Sequence, residues 1–160
     1  MTAAELIRRL GLRPMEGEGG WFAETWRAAE TVPGADGARA IGTAIYYLIT
    51  PRSFSEMHRL PGAEVFHFYL GDPAEMLMLE PGGAGRVVTM GTDLEAGMQP
   101  QVVVPGGVWQ GTRLAPGGTW ALLGTTMAPG FDAADYVRGA RDELIAGWPA
   151  LRREIEARTR

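Results

Sequence analysis

The chain of 160 residues contains no cysteine, no lysine and no asparagine, and only two histidines (His58 and His67) and two serines (Ser53 and Ser55). Without thiols there can be no disulfides, thiolate zinc sites, iron–sulfur clusters or cysteine nucleophile. Without lysine there is neither a Schiff-base amine nor a phosphate-loop ammonium. Two imidazoles cannot complete a three-histidine metal site, and no G-x-S-x-G elbow surrounds either serine. Long apolar runs are also missing. The longest, Ala44–Ile49, is too short for a bilayer span or a signal-peptide core. Positive charge is the minority, with 15 basic residues (all arginine) against 19 acidic ones and a net charge of -4. That balance argues against a nucleic-acid or anionic-membrane partner. The expectation is a soluble cytoplasmic protein forming one domain over residues 1–160, large enough to bury a core without staples.

What the chain does have is punctuation. Its 23 glycines and 11 prolines gather at Pro33-Gly34, Pro61-Gly62, Gly71-Asp72-Pro73, Pro81-Gly82-Gly83, Pro105-Gly106-Gly107, Pro116-Gly117-Gly118 and Pro129-Gly130. Proline presets φ and glycine supplies positive φ, so these are turns. Between them lie short runs rich in β-branched and aromatic residues: 41–50, 65–70, 76–80, 86–90, 101–104, 108–114 and 120–127. Strands at such regular spacing predict an all-β sandwich or barrel. A helix is expected at each end. Thr2 and Glu5 form a capping box ahead of Leu6, Ile7 and Leu10, with Gly11 as the stop. Leu144, Trp148, Leu151 and Ile155 fall at helical spacing, interrupted at Pro149. Gly17-Glu18-Gly19-Gly20 lacks the spacing of a dinucleotide loop.

The stretch from His58 to Pro73 carries the chemistry. A histidine, a Pro-Gly turn and a glutamate opening an aromatic strand suggest a hairpin that brings His58 and Glu64 together. Strand pleating sets Glu64, Phe66 and Phe68 on one face and Val65, His67 and Tyr69 on the other. This segment resembles the first cupin motif, with His58 as its first histidine, Glu64 as its glutamate and Gly71 as its closing glycine. Leu60 stands at the second histidine and Arg52 at the opening glycine. The second cupin motif is echoed by Pro105 and Gly107, with Gln110 in place of its histidine, Leu114 in place of its asparagine and Gln99 at its opening glycine. Glu18-Gly19-Gly20-Trp21-Phe22, His58-Arg59-Leu60, His67-Phe68-Tyr69, Gln101–Gln110 and Pro129-Gly130-Phe131-Asp132 occur in the order of the cupin-5 (DUF985) group. The chain is therefore similar to that group over nearly its whole length.

The resemblance implies a double-stranded β-helix, the jelly-roll barrel of RmlC-like cupins, with short flanking helices, a pocket inside the barrel and a homodimer. It implies no established reaction. Metal-binding cupins use three histidines and a glutamate, and here only His58 and Glu64 remain, with Gln110 a weak third donor. No cofactor is therefore assigned, although a divalent metal held by His58, Glu64 and Gln110 stays open. The favoured reading is a small-molecule-binding protein with possible epimerase- or isomerase-like chemistry on a sugar-like or carbonyl substrate. A histidine beside a carboxylate titrates near neutrality and suits proton transfer. Deoxysugar 3,5-epimerases among cupins work in this way, with a histidine base and a tyrosine acid; Tyr46, Tyr47 and Tyr69 are the candidates for the acid. His58 and Glu64 are the catalytic candidates; Phe66, Phe68, Gln110 and Tyr46 are the substrate-binding ones. The alternatives are a metal-dependent oxygenase or isomerase and a non-catalytic ligand-binding module.

Overall fold

The computed structural model describes residues 1–34 and 37–160. Helix α1 (Ala3–Leu10) begins at the capping box: the Thr2 hydroxyl accepts from the Glu5 amide while the Glu5 carboxylate accepts from the Thr2 amide. It ends at Gly11, whose φ of 63° lies in the left-handed region. Strands β1 (Arg13–Pro14), β2 (Trp21–Arg27), β3 (Thr31–Gly34), β4 (Gly37–Ala40), β5 (Thr43–Ile49), β6 (Ser55–Arg59) and β7 (Glu64–Gly71) follow. Then come β8 (Ala74–Leu79), β9 (Gly85–Met90), β10 (Gln101–Val104), β11 (Trp109–Leu114), β12 (Ala121–Met127) and, after a 3-10 turn at Ala133–Asp135, β13 (Val137–Arg138). Helices α2 (Arg141–Gly147) and α3 (Arg152–Glu156) close the chain, separated by a 3-10 turn with Pro149 at its start.

Two antiparallel sheets face each other, ordered β1-β2-β5-β12-β7-β10 and β13-β6-β11-β8-β9; β3 and β4 form a separate ribbon. Between the sheets lies the main core, with Tyr47, Ile49, Phe66, Leu123 and the methionines Met76, Met78 and Met90. Unbranched thioethers fill the irregular gap that two twisted sheets leave. Helix α1 covers part of the outer face of the larger sheet through Leu6, packed with Leu48 and Leu122. On the smaller sheet, α2 and α3 bury Leu144, Ile145 and Ile155 against Met57, Leu77 and Leu79. This is the all-β sandwich that the alternating strands and turns predict, with the jelly-roll form and flanking helices that the resemblance implies.

One feature of the predicted hairpin is corrected. β6 and β7 do not pair; β6 bonds to β11 and β13 in one sheet, and β7 to β10 and β12 in the other. The Pro61-Gly62 corner crosses from sheet to sheet. It is clamped by the 105–107 turn, where the Gly107 amide donates to the Leu60 carbonyl and Gly106 packs on the Pro61 backbone too closely for any Cβ. His58 and Glu64 therefore face each other across the sandwich.

Candidate functional site

A cavity of about 790 Å³ opens at one end of the sandwich, walled by both sheets, by the 15–18 turn and by the 131–136 segment. That volume falls in the range of small-molecule sites. Its apolar wall includes Ile45, Leu60 and Met127 and the rings of Phe22, Tyr47 and Phe131; its polar groups include His58, Glu64, Glu18, Thr125 and Tyr136.

Glu64 opens β7 on the inward face and is only 7% exposed. Burial raises its pKa above the ordinary carboxylate value, and the carboxylate of Glu18 adds to the rise; the imidazole of His58, the amide of Gln110 and the hydroxyl of Thr125 oppose it. Gln110 donates its Nε2 to Glu64 Oε2 at 2.7 Å. His58 is buried on β6, and its Nδ1 lies 2.7 Å from the Glu56 carbonyl oxygen. A carbonyl can only accept, so Nδ1 carries a proton and the neutral ring keeps Nε2 as its basic nitrogen. Glu56 is itself buried and paired with Arg138 at 2.9 Å and Arg160 at 3.5 Å.

Glu18 comes from the glycine turn between β1 and β2. Gly17, Gly19 and Gly20 there have φ of 84°, 100° and 76°, conformations that L side chains rarely adopt. The turn is fixed to β6, because Ser55 Oγ donates to Glu18 Oε1 at 2.6 Å and the Glu56 amide donates to the Glu18 carbonyl. Tyr47 closes it from the other side by donating to the Gly19 carbonyl at 2.8 Å. Burial holds the Tyr47 phenol far above its ordinary pKa. A stretch that resembles no nucleotide loop thus serves to swing a carboxylate over the cavity.

The expected site residues separate into three groups. His58 and Glu64 line the cavity, as does Leu60 from the position of the second motif histidine. Gln110 stands behind Glu64 and reaches the cavity only through it. Phe66 and Phe68 share the inward face of Glu64 as the pleat requires, but they pack in the core beyond the wall, and Phe22, Tyr47 and Phe131 take the place expected for them. Tyr46 differs most. It alternates with inward-facing Tyr47, so it emerges on the outer face of the larger sheet beside Leu6, Leu10 and Tyr69. His67 also lies on that face, bonded to Thr126 and Gln101 and stacked on Tyr69. Trp109 points out of the sandwich, under the Arg59 guanidinium at 4.7 Å.

Sequence reasoning missed Tyr136 and Glu18. Tyr136 follows the Pro-Gly-Phe-Asp turn in a segment too short and mixed to show periodicity, and its ring stacks on His58 with centroids 4.9 Å apart. Glu18 sits among Gly17, Gly19 and Gly20, and those flanking glycines were the signal of a tight carboxylate-bearing turn.

A resident transition metal does not fit these donors. Among the described residues no three His, Asp or Glu side chains gather at one point. Leu60 removes one expected ligand, and Gln110, whose Nε2 bonds to Glu64, stands behind it outside the cavity lining.

The geometry accords with the comparisons. Residues 4–138 match the family model described as Cupin superfamily (DUF985), and the chain belongs to that family. It is 32% identical over 144 residues to the uncharacterized protein YML079W of Saccharomyces cerevisiae, a match covering 79% of this chain and 71% of the yeast protein. A solved structure of a hypothetical protein from Leishmania major superposes with a TM-score of 0.90 at 31% identity, covering 99% of each chain. Protein SO0799 from Shewanella oneidensis superposes with a TM-score of 0.91 at 28% identity, covering 100% of this chain and 98% of the other.

Proposed function

We propose that this cupin binds a small sugar-like or carbonyl-bearing molecule and moves a proton on it without a metal. The observation that carries the reading is the opposition of His58 and Glu64 across one cavity, each delivered by a different sheet. His58 Nε2 is the base: its partner nitrogen is held by the Glu56 carbonyl, which fixes the ring's orientation. The imidazolium formed on proton uptake lies in the field of Glu64, the same attraction that favours the Glu64 carboxylate. The mostly apolar wall limits water and strengthens that interaction.

The test is solvent exchange. Small aldoses, ketoses and simple ketones are incubated with the protein in heavy water, and loss of C–H signals next to the carbonyl is followed by proton NMR. Catalysed exchange is expected for at least one compound, with a loss of about a hundredfold or more in His58→Ala and Glu64→Gln. Exchange that is equally fast in both variants would overturn the assignment.

A homodimer belongs to the same reading. It is supported by the outer face of the larger sheet, where Trp26, Tyr69, Leu70 and Val103 are each 43–52% exposed. Large apolar side chains gathered on one sheet face mark an interaction surface.

A further inference from the structure

We infer that the Tyr136 hydroxyl is the donor that reads the ligand, and that it selects a neutral oxygen, carbonyl or uncharged hydroxyl, over a carboxylate or phosphate. The inference rests on the cavity being a ligand site and specifies the ligand atom that meets it. Tyr136 stands between the 3-10 turn and β13, and β13 pairs Arg138 with His58. The strand that delivers the phenol is thus bonded to the strand that carries the imidazole. The two rings stack at an interplanar angle of 22°. An ion pair between Arg39 and Asp135 ties the preceding turn to β4.

The phenol ring lines the cavity, yet its hydroxyl is shielded and no described side chain or backbone group bonds to it. A hydroxyl in that position is costly unless something completes its hydrogen bonding. Burial keeps the phenol protonated, reinforced by the nearby carboxylates of Glu18 and Glu56. The described residues supply no acceptor for its proton, and a small shift of the side chain toward the cavity would present it to a ligand oxygen.

Charge decides which acceptor. Glu16, Glu18, Glu24 and Glu64 line the same space, and the one guanidinium among the described residues of the wall, Arg13, is exposed and lies over the Phe22 ring at 4.8 Å. An anion entering the cavity would meet four carboxylates against one solvent-screened cation. A neutral oxygen takes the Tyr136 proton without that repulsion. Because phenol and imidazole share one wall, the same bond sets the ligand's reacting carbon relative to His58.

The experiment titrates the full chain with three probes of one shape: acetophenone, benzoate and toluene. Binding is followed by the His58 imidazole NMR signals and by calorimetry, for wild type and Tyr136→Phe, which keeps the stacked ring and removes only the hydroxyl. Acetophenone is expected to bind wild type more tightly than benzoate and to lose about five- to tenfold in Tyr136→Phe. Toluene should be unaffected by the substitution, and an unchanged amide spectrum certifies the fold. Equal acetophenone affinity in both proteins, or benzoate binding more tightly than acetophenone, would overturn the inference while leaving the cavity a ligand site. If none of the three perturbs His58, the inference and the proposed function fall together.

Discussion

Glu64 combines two properties that oppose each other. It is a carboxylate in a mostly apolar setting, so its charge costs stability, and it is held there on a rigid strand facing His58. The folded state keeps the Glu64 proton to a higher pH than the unfolded chain does, because burial raises the folded pKa above the ordinary 4.5. Between those two values the folded protein binds more protons, so the stabilisation from protonated Glu64 is complete below about pH 4.5 and is lost as pH rises through the folded value. Glu64→Gln, which keeps the acceptor for Gln110, should therefore melt at a higher temperature than wild type at pH 8. The two curves should converge below pH 4.5. Thermal unfolding followed by circular dichroism across pH checks this, and equal melting temperatures at pH 8 would refute it. At this scale the placement of His58 and Glu64 at one cavity was legible from the motif they resemble, although the hairpin expected to join them does not form. Tyr136 was not, since its importance comes from a ring contact with a residue 78 positions away. Tyr46 was misplaced because two adjacent tyrosines on a strand must point to opposite faces, and nothing in Tyr46-Tyr47 itself says which one turns inward.

At the scale of elements, the glycine turn before β2 is held tightly against Tyr47. Gly20 has a φ of 76°, and a Cβ there would come within 2.7–2.9 Å of the Tyr47 ring and hydroxyl. Gly20→Ala is expected to cost about 1–2 kcal/mol from the left-handed backbone alone, with a further loss from displaced Tyr47. Urea denaturation would read the cost as a lower midpoint, and an unchanged midpoint would refute it. Weakened acetophenone binding should accompany it, since Tyr47 and Glu18 both line the cavity. Most strands were visible in the sequence because alternation and Pro-Gly punctuation are local signals. β8, β10, β11 and β12 fall within a residue or two of their expected bounds. β6 was hidden, since Ser55–Arg59 is buried along four of its five positions and shows no alternation. β13 has two residues and exists only because β6 offers it an edge. The crossing of the Pro61-Gly62 corner between sheets was also hidden, because a Pro-Gly turn reads alike whether the next strand pairs or crosses.

The molecule as a whole leaves one broad face less covered than the rest. Helix α1 shields only one end of the larger sheet's exterior, and Val103 on the edge strand β10 remains 52% exposed. If that face joins two copies, Val103→Glu would place a carboxylate in the contact and shift the protein to a monomer. Light scattering coupled to gel filtration would show the halved mass; a wild type that elutes as a monomer would refute the dimer instead. The variant should keep its melting behaviour, since Val103 lies outside the core and surface substitutions change stability by only about 0.5 kcal/mol.

The corner at Pro61-Gly62 has an effect on adaptability. His58 and Glu64 ride on opposing sheets, so the gap between them is a property of the packing that separates those sheets, not of a loop. Much of that packing is Met76, Met78 and Met90, side chains with low torsional stiffness and many ways of filling the same space. Exchanging them for shorter or stiffer residues would retune the reach of the site while every polar group in the cavity stayed in place. Relatives sharing His58 and Glu64 could thus accept ligands of different girth through substitutions none of those ligands would touch.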